Sequence, residues 1–128
     1  MGDEAGVPCE VSCSRFEKGN LGGIIMDAVR ADVEKLVEKE LKSANQKFPM
    51  FRSDHEGAAV IFEEIEECKQ EMENLEIQFE ALWSRVKSDN KMSVIISGRL
   101  KLMAINLACE VIQVAAMSQK FIDSQKER

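Results

Sequence analysis

The chain has 128 residues, with 17 Lys and Arg against 23 Asp and Glu, so its net charge is −6. Apolar residues make up 45% and charged residues 31%, which excludes a disordered chain and leaves room for a single core. The acidic balance argues against a surface that coats nucleic acid, and the absence of Tyr with only two Pro and seven Gly favours helices over sheets.

Residues 1–20 carry no sustained period and contain Gly2, Gly6, Pro8 and Gly19, so they are expected to form a mobile tail. Met1–Pro8 is acidic and lacks the apolar region of a signal peptide. Cys9, Cys13, Cys68 and Cys109 form no C-x-x-C pair and the chain has one His, a pattern unlike a zinc site. Four free thiols fit a reducing compartment, and the expected location is cytoplasmic.

A single all-α domain is expected over residues 21–125. From about Leu21 to Gln46, Ile25, Val29, Val33, Leu36 and Leu41 fall near one helical face. Pro49 then biases Phe48 away from the helical region and ends that helix. Phe48 and Phe51 in so short a linker are expected to pack down, as core or as the border of a base pocket.

Ser53-Asp54-His55-Glu56 matches the S-x-x-E capping box, which opens a second helix. Within it, Ile61, Ile65, Cys68, Met72, Leu75, Phe79, Leu82 and Val86 alternate spacings of four and three, a heptad seam. Asp54–Lys87 would be a rod on the order of 50 Å. Such a seam needs a partner helix, from this chain or a second copy, and Trp83 near its far end is expected to pack at that interface.

Ser88-Asp89-Asn90 reads as a turn, and a third helix is expected from about Lys91 to Ile122. Its apolar stretch, Leu102–Gln119, also holds Asn106, Glu110 and Gln113, groups a membrane span avoids, so it is read as a buried helix with no membrane partner. The expected architecture is an up-down helical bundle with one long heptad-bearing helix, completed by assembly into a homodimer or homotetramer.

Asn106, Glu110 and Gln113 are spaced four and three, one stripe on an otherwise apolar helix, with Arg99 and Lys120 seven residues beyond it on either side. A carboxylate in apolar surroundings is costly unless it is paired or metal-bound. Glu110 therefore calls for an ion pair with Arg99 or a Lys, or for a cation. On the second helix Glu64, Glu67 and Glu71 share one flank of the seam, beside Glu63 and Glu66. Carboxylates converging from facing helices suit a hard cation such as Mg²⁺. A solvated acidic face is the alternative.

His55-Glu56-Gly57, Glu63-Glu64-Ile65-Glu66-Glu67 and Glu110-Val111-Ile112-Gln113-Val114-Ala115-Ala116-Met117 together resemble the MazG-like all-α nucleoside triphosphate pyrophosphohydrolases. The branch they resemble most is that of phages and Firmicutes, and the resemblance spans about Ile24–Ile122. The family pattern is E-E-x-x-E on one helix and E-x-x-D on the next, with these carboxylates holding Mg²⁺. Carried over, it implies Glu64, Glu67, Glu110 and Gln113 as metal ligands and Glu63 and Glu64 as catalytic residues, Glu63 orienting a water or a second metal. Gln113 stands where the family has Asp. An amide oxygen still ligates but brings no charge and cannot act as a base.

The activity so implied is Mg²⁺-dependent hydrolysis of an NTP or dNTP to the monophosphate and pyrophosphate. Arg99, Asn106 and Lys120, on the Glu110 stripe, are candidate phosphate contacts, with Lys91 and Lys101 equally available. The alternative is a helical scaffold, or a degenerate relative that binds nucleotide or metal without turnover.

Overall fold

The computed structural model describes residues 20–89, 91 and 93–128, with side chains from residue 29 onward. The tail expected over the first twenty residues, with Cys9 and Cys13, therefore lies outside the described residues apart from Asn20. The fold is all-α, with three helices in chain order: α1 (Asn20–Lys47), α2 (Asp54–Lys87) and α3 (Ser93–Glu127). No strand occurs among the described residues.

The chain divides into two compact units, Met1–Leu36 and Val37–Arg128. The described part of the first is helical from Asn20 and carries an exposed Arg30–Glu34 ion pair, one helical turn apart at 3.2 Å. The second holds the end of α1 and the whole α2–α3 pair.

Local chemistry accounts for the bounds of α2. Ser53 caps it in extended backbone, φ −152° and ψ 162°, and its hydroxyl accepts the Glu56 N–H at 3.1 Å. The return half of the expected capping box goes elsewhere. The Glu56 carboxylate accepts from the Arg52 N–H at 2.7 Å and from its guanidinium at 3.3 Å. Arg52 sits one residue before the cap, and its backbone N–H first, then its guanidinium, hold the Glu56 carboxyl below the usual range. At the far end the Ser88 N–H and hydroxyl both bond the Ser84 carbonyl, and Asp89 turns the chain at φ 55°. Asp tolerates that left-handed conformation better than most residues.

α3 runs back along α2. It continues past the expected end at Ile122 to Glu127 because its last turns hold the α1–α2 linker. Ser124, 1% exposed, accepts the Phe51 N–H at 2.9 Å. Arg128 donates to the Phe51 carbonyl at 2.9 Å and pairs with Asp54, which also accepts from Gln125 at 3.2 Å. Around this junction Phe51, Ala116 and Met117 form a buried cluster, against which Val37, Leu41, Ala44, Val60, Ile61 and Phe121 pack. Phe51 is thus a core residue.

The heptad seam does not meet α3 as one apolar face. Ile61, Cys68, Leu75 and Leu82 are half-buried, whereas Ile65, Met72, Phe79 and Val86 are exposed. Glu64, Glu71 and Gln78, again seven residues apart, are half-buried with the first row, as is Asn74. One helix covers only one strip of its neighbour. The covered strip of α2 runs 61-64-68-71-75-78-82, leaving the second apolar row outside. Trp83, expected at an interface, is exposed with the Lys87 ammonium 5.9 Å above its ring.

α3 likewise departs from the expected buried helix. It is long and apolar enough to cross a membrane, yet only 11% of its most apolar 18-residue window is buried. Ile96, Ala116, Met117, Lys120 and Ser124 form its buried line, while Leu102, Ile105, Val111 and Ile122 face out.

Candidate functional site

The strip of α2 that meets α3 places its glutamates opposite the one carboxylate of the apolar helix. Glu64 and Glu67 lie one turn apart on α2, and Glu110 reaches them from α3. One carboxylate oxygen from each lies within 4.8 Å of the other two. Oε1 of Glu64, Glu110 and Glu71 is closed off from solvent and has no hydrogen-bond partner.

Among the described residues no ion pair involves Glu110, so neither Arg99 nor a lysine neutralises it. Burial raises the pKa of the Glu110 carboxyl, a side-chain hydrogen bond with the Glu67 carboxyl raises it next, and the charges of Glu67, Glu64 and Glu71 raise it further. Glu64 is raised in the same way, by burial first and then by Glu67, Glu63 and Glu40. Cys68, between the carboxylates on α2, is also pushed up by burial and by Glu110, Glu64 and Glu67. Negative charge is thus concentrated on this stretch of the α2–α3 seam, and no cation among the described residues is paired with Glu64, Glu67 or Glu110.

Glu64 also opens onto a cavity of about 740 Å³ between the end of α1, the linker, the first turns of α2 and the C-terminal half of α3. Glu63, exposed, and Gln113, half-buried, share its wall with Glu64. Phe48, 64% exposed, continues the wall with Pro49, Met50, Val60 and Met117 as its apolar part. Its cations are Lys47, Arg52 and Lys120, and Lys120 is only 2% exposed.

Of the residues expected from sequence, Glu64, Glu67 and Glu110 converge, and Glu63, Gln113 and Lys120 stand at the adjoining cavity. Arg99 is exposed and Asn106 half-buried, and neither reaches that cavity. The cavity opens only at the C-terminal half of α3, so two or more turns separate them from it. His55 is exposed and outside the cavity. Glu40, Lys47 and Arg52, from outside the motif-bearing segments, line the cavity without having been anticipated. The heptad spacing of Glu64, Glu71 and Gln78 was a readable signal for a polar strip inside the seam. No family profile, curated protein or solved structure matches the chain.

Proposed function

We propose that the chain is a Mg²⁺-dependent nucleoside triphosphate pyrophosphohydrolase, with Glu64, Glu67 and Glu110 as the carboxylate ligands and Gln113 beside them. The observation that carries this reading is the convergence of three carboxylates from two helices, two of them with a solvent-excluded oxygen that no protein donor satisfies. Such an arrangement is costly in a metal-free protein and fits an all-oxygen divalent site. Bound there, Mg²⁺ would neutralise charge on phosphate oxygens and lower the pKa of an attacking water.

The remaining roles fall to the chain's own side chains. Glu63, at the cavity wall next to Glu64, would orient the water. Phe48 offers an exposed aromatic face for a base, and the cavity is roomy enough for a nucleotide. The test is pyrophosphate release from a panel of NTPs and dNTPs with Mg²⁺, using Glu110→Ala as control. Release by the wild type alone supports the assignment, and equal release by Glu110→Ala overturns it.

A second reading, binding of nucleotide or metal without turnover, is favoured by one observation. The cavity wall carries the amide of Gln113 where the similar family has a carboxylate. Silence across the panel, with Mg²⁺ binding retained, selects it.

Self-association is proposed on separate grounds. Ile65, Met72, Phe79 and Val86 repeat every seven residues along the outside of α2, and α3 leaves Leu102, Ile105 and Val111 exposed within its apolar stretch. A heptad row fits a helix of the same period, which a second copy of α2 presents by two-fold symmetry.

A further inference from the structure

Lys120 is the most deeply buried cation of the described chain, and its three donors have a single hydrogen-bond partner. Its residue is 2% exposed, yet its ammonium makes one long hydrogen bond, 3.5 Å to the Phe48 carbonyl, and otherwise stands 5.1 Å over the Phe51 ring. An ammonium carries three donors and is costly to bury without an anion. Among the described residues no carboxylate lies within ion-pair distance of it.

Burial pushes its pKa down, and Glu56 opposes that only in part. The fold nevertheless holds the group in place. Its neighbours Phe51 and Ser124 are joined by the buried backbone hydrogen bond, and Phe48 is fixed by its N–H to the Ala44 carbonyl at 2.9 Å. Lys120 also lines the 740 Å³ cavity, in company with Lys47 and Arg52. It lies two helical turns, about 10 Å, along α3 from Gln113. The cavity therefore carries carboxylates at one part of its wall and a pre-positioned, under-bonded cation at another.

We propose that Lys120 is a phosphate-binding residue of this cavity, which takes the polyphosphate chain of the substrate at a point distinct from the carboxylate cluster. The assignment rests on the nucleotide reading above for the identity of the substrate, but the anion site is a property of the metal-free protein. Lys120 holds the terminal phosphoryl group through its free N–H donors, and the Phe48 carbonyl and Phe51 ring keep the ammonium oriented while the site is empty.

The probe is inorganic tripolyphosphate, titrated calorimetrically into the full chain in EDTA, so that neither metal nor turnover is required. The wild type should bind, Lys120→Met should bind at least about tenfold more weakly, and Lys87→Met, in the last turn of α2 and outside the cavity, should not weaken binding. Circular dichroism checks that each variant is folded. Should Lys120→Met unfold, the wild type labelled with ¹³C-lysine decides, because bound tripolyphosphate must shift the Lys120 Cε resonance. No binding by the wild type, equal binding by folded Lys120→Met, an equal loss in Lys87→Met, or an unmoved Lys120 resonance at saturation each overturns the proposal. Failure of the pyrophosphohydrolase reading looks different: tripolyphosphate binding persists while no nucleoside triphosphate is cleaved.

Discussion

Gly57 on α2 faces the ring of Phe121 on α3 so closely that a Cβ at position 57 would stand 2.5 Å from Phe121 Cδ2 and 2.9 Å from Phe51 Cδ2. Both ring atoms lie near the stem of their side chains, so neither ring can swing aside without disturbing the core cluster. In an open helix Gly→Ala gains about 1 kcal/mol. Here overpacking of about 1–3 kcal/mol opposes it, and Gly57→Ala is expected to lower stability. Gly98, with nothing within 4 Å of its added Cβ, serves as the contrast: Gly98→Ala should raise stability. Urea unfolding of the two variants checks this, and an equal gain in both would contradict the close packing at Gly57.

The carboxylate cluster makes a prediction about pH. Glu110 and Glu64 both have raised pKa values, from burial and from their acidic neighbours. A carboxyl whose pKa is higher folded than unfolded favours folding below the ordinary glutamate range, and that advantage is lost as pH rises through the folded value. The contribution of these two carboxyls to the stability of metal-free protein should therefore fall as pH climbs above about 4.3, while Glu56, held low by Arg52, works in the opposite sense. Glu110→Gln, which keeps the shape without the charge, should flatten the loss. Urea midpoints in EDTA across this range test it, and parallel curves for wild type and Glu110→Gln would refute the coupling. Lys120 works in the opposite sense, but a lowered lysine value adds stability only at higher pH.

Much of this arrangement could be read from the chain because it is local. The Ser53 cap and the Ser88-Asp89 turn define α2 at Asp54 and Lys87, the bounds their chemistry predicts. The stripe of Asn106, Glu110 and Gln113 marked the face of α3 that cannot face hydrocarbon, and α2 supplies glutamates to it. Periodicity does not say which of two adjacent strips a neighbouring helix will cover. Ile61 and Ile65 looked equivalent in sequence, and only packing separates them. The cavity was less legible still. Its linker wall depends on Phe51 meeting Ser124, 73 residues along the chain, and no local pattern encodes such a pairing.

The exposed heptad row predicts its own test. Phe79 is 54% exposed in the single chain, so Phe79→Asp should leave the folded protomer intact. In an assembly closed by that row the substitution buries an unpaired charge at the interface. Light scattering should give a multiple of 14.4 kDa for the wild type and 14.4 kDa for the variant. A wild type that is monomeric at every concentration, or a variant that stays assembled, would remove the row from the interface.

Gln113 offers the most direct view of the proposed metal centre. It shares the cavity wall with Glu64 and lies one turn from Glu110. Gln113→Asp adds a carboxylate at the proposed metal centre, with opposite effects in the two states. Without metal it adds to the repulsion around Glu64 and Glu110 and lowers stability. With Mg²⁺ it tightens binding, and a ligand that binds only the folded chain stabilises it by an amount that grows with affinity. The rise in melting temperature between EDTA and Mg²⁺ should therefore be larger for Gln113→Asp than for the wild type, and nucleotide turnover should be kept or increased. If the wild type is silent and the variant active, the amide is what suppresses chemistry. An Mg²⁺ shift no larger in the variant would place Gln113 outside the reach of the ion.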